Sequence, residues 1–358
     1  SKLCFYWRRS NVRKFGRENL ARNQSVNELT VTTMKPAKVI IVCLLVIASC
    51  ENNPNSYKPI SSGNIHTITV VMENALWNSE AGEHVRKIFA SEFVGLPQQE
   101  PLFSLKQIPL SIFSDFTRES RNVIVVSIKR KDTFKITKNK YASPQIVVEV
   151  YGKTNKEIIN QINLHALKAI KVIRQNEIKE KQRRIRKSVF KSEELKELSI
   201  YLSLPSAYKT HKKEKGKKLW LQRETEKGSV NVLLYLLENR NSEGPFNKAK
   251  TIRIRDSIAK IFVPGRNEKS YMITEKAYEP YFFETKIKGM QTIETRGTWE
   301  VKNDYMAGPF LNYIIQDTIN NRLLVMEGFV FSPSIQKRNY MIELEAIFRS
   351  LKIYKNLK

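Results

Sequence analysis

Residues 292–331 read TIETRGTWEVKNDYMAGPFLNYIIQDTINNRLLVMEGFVF. Three runs of strand length, 292–301, 310–316 and 322–331, are rich in β-branched and aromatic residues. The stretch 317–321 between the last two carries paired asparagines, which tolerate positive φ and suit a turn. Downstream, 338–351 places Met341, Leu344, Ile347, Phe348 and Leu351 at helical spacing on one face. A meander of antiparallel strands closed by a helix that packs on it is an α+β layout.

Working back from that block, 231–237 (NVLLYLL) is a continuous apolar run, as expected of a central strand covered on both faces. Residues 200–204 and 219–224 read as further strands, with 251–254 and 271–274 as weaker ones. Between the first two lies a lysine cluster, 209–218, read as a flexible loop. Ser192-Glu193-Glu194 marks a helix start with acidic residues in its first turn. Residues 191–358 are thus expected to form a carboxy-terminal antiparallel α+β domain, with its boundary near 188–192.

A second domain is expected over 64–190. It has strand character at 65–72, 122–130 and 145–151, the last two as neighbours, and a helix carrying Val85, Ile88, Phe89 and Phe93. Thr154-Asn155-Lys156-Glu157 fits a capping box. The helix it opens buries Ile158, Ile162, Ala166, Ala169, Ile170 and Ile173, and its charged second half, 176–187, is expected to continue as a solvated arm. The predicted fold class is therefore α+β in two domains, each a mostly antiparallel sheet with packed helices.

Upstream, 34–50 reads MKPAKVIIVCLLVIASC. Lys35 and Lys38 supply a positive flank, and 39–47 is an apolar run of signal-peptide length, too short for the ~20 residues that span a bilayer. Ile47-Ala48-Ser49-Cys50 resembles the bacterial lipobox, in which the cysteine thiol receives a diacylglycerol. The expectation is a lipoprotein signal peptide ending at Cys50, with 51–63 as a flexible tether rich in Asn, Ser and Pro. Residues 1–33 are read as a leader outside the fold, an over-extended reading frame or vector-derived segment, with a genuine basic extension as the alternative. The cysteines are Cys4, Cys43 and Cys50, so no disulfide or cysteine-nucleophile chemistry is expected beyond Cys50.

The formal net charge is +27, of which the first 50 residues carry +7. Residues 129–218 hold 25 Lys/Arg against 9 Asp/Glu, so the basicity is regional. Two readings apply: solvated surface, or contact with anionic lipid or an acidic envelope protein through Lys181, Arg183, Arg184, Arg186, Lys187, Lys212, Lys213, Lys217 and Lys218. Near an anionic membrane each such cation contributes about 1 kcal/mol. Nucleic acid is not expected as a partner, because a secreted, lipid-anchored chain meets little of it.

Motifs of catalysis do not surface. His66, His84, His165 and His211 are scattered and unpaired at metal-ligand spacing, so no metal and no cofactor is expected. Phosphate-cradling, G-x-S-x-G and HExxH patterns are not found, and no catalytic residue is assigned. Glu343 and Glu345, one residue apart on the terminal helix, read as surface charges. Trp77, Trp220, Trp299 and Tyr305 read as core, with a ligand groove as the alternative. Tyr281, Phe282 and Phe283 are three adjacent aromatics that cannot all face one core, which points to a partly exposed aromatic edge.

On 62–77 (SGNIHTITVVMENALW), 95–105 (GLPQQEPLFSL), 121–127 (RNVIVVS), 202–221, 298–305 (TWEVKNDY) and 308–310, the chain resembles an uncharacterised family of Gram-negative lipoproteins, domain of unknown function 4837, over nearly all of 64–358. That resemblance implies an envelope compartment and a bacteroidete source, and no established activity or catalytic residue. More loosely, 200–351 looks like the PsbP-like fold, whose members are commonly non-enzymatic adaptors; fold alone does not fix function. The expected function is a non-enzymatic binding or assembly component of the cell envelope, lipid-anchored and periplasm-facing. The alternative is an envelope hydrolase with a site assembled at the domain junction.

Overall fold

Connections through helices decide strand direction in the first half of the chain. The computed structural model describes residues 57–238 and 247–356, so the segment 34–50 read as a signal, with Cys50, and 51–56 of the expected tether lie outside the described residues. The rest of the expected tether is corrected, because Ile60 and Ser62 form bridges with Ser143 and Ser120 and the Ser61 N–H donates to the Ser143 carbonyl at 3.1 Å. From β1 (Thr67–Val71) the chain runs through a single turn (Asn74–Trp77) and helix α1 (Glu80–Phe89), then returns as β2 (Ser104–Ile108), parallel to β1. β3 (Asn122–Ile128) flanks β1 on its other side, also in parallel. β4 (Thr133–Lys138) and β5 (Ile146–Gly152) complete a sheet of order β2-β1-β3-β5-β4. β3 and β5 pair in parallel, while β4 runs antiparallel to β5 at the edge.

The α+β class stands, but the expectation of a mostly antiparallel sheet is corrected for this half. Parallel neighbours need a crossover to return the chain to the same end of the sheet, and α1 supplies one. The sign lay in the continuous apolar run of β3. Ile124 and Val126 join the core under the helices, whereas Val123 and Val125 join a smaller cluster on the opposite face. Two-sided burial of that kind is characteristic of parallel strands.

Helix α2 (Asn155–Ile185) follows β5. The Thr154 hydroxyl accepts from the Glu157 N–H, and the Glu157 carboxylate accepts from the Lys153 N–H at 2.7 Å, closing the free first turn. At 1.5 Å per residue the helix is roughly 46 Å long. Ile158, Ile162, Ala166, Ala169 and Ile173 cover the first sheet beside α1. The second half is not the solvated arm expected from its charge: Glu177, Ile178, Glu180 and Ile185 are buried, and Ile178 and Ile185 belong to the core of the second sheet. One helix therefore serves both halves.

The second sheet holds β7 (Lys209–Glu214), β8 (Lys218–Thr225), β9 (Gly228–Glu238), β10 (Tyr271–Thr274), β11 (Tyr281–Ile287), β12 (Met290–Lys302), β13 (Ala307–Asp317) and β14 (Arg322–Phe331). Its order is β10-β12-β13-β14-β9-β8-β7, with β11 also on β12, and every pairing is antiparallel. β9 is central, as its apolar run requires. A small ladder of β6 (Ile200–Tyr201) with β15 (Lys352–Ile353) ties the last strand to the junction. Lys288 and Gly289 both have positive φ and form the two-residue turn between β11 and β12. The Asp317 carboxylate accepts from the Ile319 and Asn320 N–H groups and shapes the β13–β14 turn.

Two readings change here. The lysine cluster 209–218 is a strand and hairpin, since β7 pairs along β8. Residues 251–254, read as a weak strand, lie in helix α3 (Lys248–Phe262), capped by the Asn247 side chain accepting from Lys250 N at 2.9 Å. Thr251, Arg255, Ala259 and Phe262 are its buried residues, at helical spacing.

Alternation along the strands divides the second core. Leu219 and Leu221 face helix α4 (Arg338–Phe348), whereas Trp220 faces α3. Gly328 sits under α4, where an added Cβ would lie 2.7 Å from the Leu344 side chain, so its missing side chain lets the helix approach the sheet closely. α4 has nine buried residues out of eleven, including Arg338, Glu343 and Glu345. It is an interior helix, clamped between the second sheet on one side and α2 on the other, and the one-faced helix expected from its apolar spacing is corrected accordingly.

Candidate functional site

Where α2 crosses α4, buried charges are matched in pairs. The Arg121 guanidinium bonds Glu177 at 2.6 Å with both side chains excluded from solvent. Glu177 also accepts from Asn122 Nδ2 at 2.9 Å and from the His66 backbone N–H at 2.5 Å. Arg121 also donates to the carbonyls of Gly63 and Asn64, so four of its five N–H groups are engaged within the buried site. Burial, together with Arg174 and other guanidiniums nearby, pushes the His66 imidazole down to about 3. That ring stacks on Phe103 at 5.3 Å and is neutral at physiological pH.

Glu343 and Glu345 point apart, as one residue's separation on a helix requires, but both are buried rather than surface charges. Glu345 meets Arg174 at 2.9 Å, Arg296 at 2.7 Å and Arg349 at 2.9 Å. Glu343 meets Lys181 at 2.8 Å and Arg223 at 2.7 Å. Burial opposes ionisation of Glu345, yet Arg296, Arg174 and Arg349 outweigh it and hold the carboxyl well below the usual carboxylate range. Glu294, 2.6 Å from Arg296, completes the cluster. A cleft of about 410 Å³ opens beside it, edged by Phe93, Phe283, Arg174 and Arg349. A carboxyl held ionised by three guanidiniums has no proton to donate near neutrality, so this junction is built as a fastening rather than as an acid–base pair.

The basic residues singled out from sequence are dispersed by the fold. Lys181 is taken up by Glu343, and Arg183 and Arg184 by Glu180 at 2.6 and 2.8 Å. Lys213 pairs with Glu194, while Lys217 and Lys218 pair with Glu214. Arg186 and Lys187 are exposed without a carboxylate partner among the described residues. β7 is an outer strand of the second sheet, where lysines discourage edge-to-edge pairing with another chain. On β11, Tyr281 and Phe283 are 48% and 42% exposed on one side, and Phe282 turns to the other, where Lys248 Nζ lies 5.5 Å from its ring. Of the other histidines, His84 meets the Asn163 side chain at 2.7 Å and His165 packs on Phe134. Tyr305 is fully exposed, and Trp77 packs beside the first core under the Arg86 guanidinium.

A different group of residues converges on the α3 face of the second sheet. Beyond Phe262 the helix ends, and Val263 to Arg266 run over a pocket of about 210 Å³. Its floor is an aromatic row drawn from four strands and the end of one of them: His211, Trp220, Phe329, Trp299 and Phe331. Successive ring centroids lie 4.2, 5.9, 5.7 and 6.5 Å apart, the last three within the usual range for packed aromatic pairs and the first closer. Trp220 Nε1 donates to Asn231 Oδ1 at 3.0 Å, and Asn231 Nδ2 donates to the Ser229 hydroxyl. Trp299 Nε1, in a residue only 2% exposed, has no hydrogen-bond partner among the described residues.

A β-bulge builds the open end of this row. Thr210 pairs with Leu221 and Lys212 with Trp220, so His211 and Lys212 both stand opposite Trp220. The imidazole of His211 then lies on the Trp220 ring, and Lys212 Nζ lies 4.6 Å from the Phe262 ring centroid. Ser229 and His211 both line the pocket, but the Ser229 hydroxyl is engaged by Asn231 and His211 is held by ring packing. Those two residues form no nucleophile–base hydrogen bond. The arrangement is suited to holding a molecule.

Residues 188–350 match the family model of domain of unknown function 4837, and residues 61–186 match a separate one, domain of unknown function 8532. The resemblance read over nearly all of 64–358 is therefore carried by two family models that meet at residue 187, next to the single turn Glu193–Glu197 that opens the second half. No curated protein matches the chain. Among solved structures, a protein of unknown function from Pseudomonas aeruginosa is 10% identical, with a TM-score of 0.26, over 43% of this chain and 90% of its own. A protein from Bacteroides thetaiotaomicron is likewise 10% identical with a TM-score of 0.26, over 45% of this chain and 47% of its own.

Proposed function

We propose that this chain, built from the two domains of unknown function 8532 and 4837, is a non-enzymatic binding component of the bacterial cell envelope, anchored by lipid on Cys50 and facing the periplasm. The observation that carries the binding reading is the aromatic pocket under Val263 to Arg266: the rings of His211, Trp220, Trp299, Phe329 and Phe331 line it together with the polar side chains of Ser229, Asn231 and Arg266, in the manner of a small-molecule site. The compartment rests on the sequence 34–50. No helix among the described residues is long and apolar enough to cross a membrane, so in this reading the attachment is carried by the acyl chains. The hydrolase alternative places its site at the junction, where the carboxylates are neutralised by guanidiniums; that weighs against it.

Cys50→Ala is expected to abolish lipid labelling in cells and to move the protein from the detergent phase to the aqueous phase on partitioning. A variant that stays lipid-labelled and in the detergent phase sinks the anchor.

A further inference from the structure

We propose that the aromatic pocket takes a small aromatic carboxylate, a single ring bearing one anionic head; this rests on the binding reading above and names the chemistry of its ligand. Size comes first. At about 210 Å³ the space falls below the ~300–1,000 Å³ of sites for drug-sized ligands, so it suits one ring rather than a fused system or a peptide. Shape comes second. Trp299 meets Phe329 at 77° and Phe331 at 55°, so the walls offer edges as well as faces, the geometry in which another ring packs well.

Charge selects the head group. No Asp or Glu lines the pocket. Arg266 lines its rim with its guanidinium 5.8 Å from the Phe331 ring, and it has no carboxylate partner among the described residues. Lys212, brought to this face by the bulge, is held only by the Phe262 carbonyl at 3.4 Å and that residue's ring. Trp299, which also lines the pocket, has a buried indole N–H with no hydrogen-bond partner among the described residues. Unused donors and cations around an aromatic floor call for an acceptor that carries negative charge, and a guanidinium can grip a carboxylate with two parallel hydrogen bonds.

The test uses the protein in detergent micelles with its tryptophans labelled with ¹⁵N at the indole, and the Trp299 N–H signal assigned by its loss in Trp299→Phe. Benzoate, toluene and benzylammonium are titrated as probes of one shape and three charges. Benzoate is expected to shift the Trp299 signal at lower concentration than toluene, and benzylammonium is expected to be the weakest. In Arg266→Met, an exposed substitution, the benzoate Kd is expected to rise about tenfold and that of toluene to stay the same. If the three probes act alike, or if Arg266→Met leaves benzoate unaffected, the anionic class is overturned while the binding pocket stands. If none of the probes moves the Trp299 signal, the pocket falls as a ligand site and the binding reading falls with it.

Discussion

Glu345→Gln is expected to lower the folding stability by about 3–5 kcal/mol, the loss typical of removing one partner from a buried ion pair. Three guanidiniums converge on this carboxylate, and Arg296 is itself fully enclosed. Gln keeps the shape and removes the charge, so Arg296 would depend on Glu294 alone. Urea unfolding read by tryptophan fluorescence measures the loss; a change under 1 kcal/mol would mean that the cluster is not a fastening.

The same residues set the acid side of the stability profile. Glu345 and Glu343 have folded pKa values depressed by the basic groups around them, which overcome the opposing effect of burial. Their contribution is present above the unfolded carboxylate value of about 4.3 and is lost as pH falls toward the folded values. His66, pushed down to about 3 by burial and neighbouring guanidiniums, acts earlier: its contribution is complete above about 6.5 and declines as pH falls below it. Stability should therefore fall in two stages on acidification. Glu345→Gln should make the lower stage shallower, with Glu343 and Glu180 keeping their share, and leave the upper one.

The second large effect is expected at Arg121. Arg121→Met leaves Glu177 charged, buried and without its guanidinium partner, at a cost of about 3–5 kcal/mol. Arg121 and Glu177 also hold the segment around Gly63, Asn64 and His66, so the entry to β1 should loosen with the loss. Hydrogen exchange at the amides of residues 62–68 separates this from a general destabilisation. Exchange there that speeds up beyond what the global loss alone produces is the expected result, and unchanged protection there with unchanged stability contradicts it.

What the sequence disclosed follows the range of the forces involved. β12, β13, β14 and the long α2 were legible because period, turn residues and a cap act over a few neighbours. Parallel direction in β1, β2, β3 and β5 was harder, since it depends on where a crossover returns. Residues 251–254 misled because Thr251, Ile252 and Ile254 favour strands locally, while the Asn247 cap and the burial of Arg255 and Ala259 favour a helix. Glu343 and Glu345 read as surface charges because their partners Lys181, Arg174, Arg223 and Arg296 lie far away along the chain. The pocket was hidden for the same reason. Trp220 and Trp299 meet Phe329 only through the strand order of the second sheet, and His211 joins them through a one-residue bulge that leaves no clear sign in the sequence.

The proposed lipid attachment at Cys50 would place the proposed binding role at the envelope, and it has a direct chemical signature. Intact-mass and peptide mass spectrometry of the protein purified from bacterial membranes would read the mature amino terminus. The expected species begins at Cys50 and carries a diacylglyceryl group on the sulfur. A mature chain that retains residues 34–49, with an unmodified Cys50 thiol, would contradict the envelope anchor.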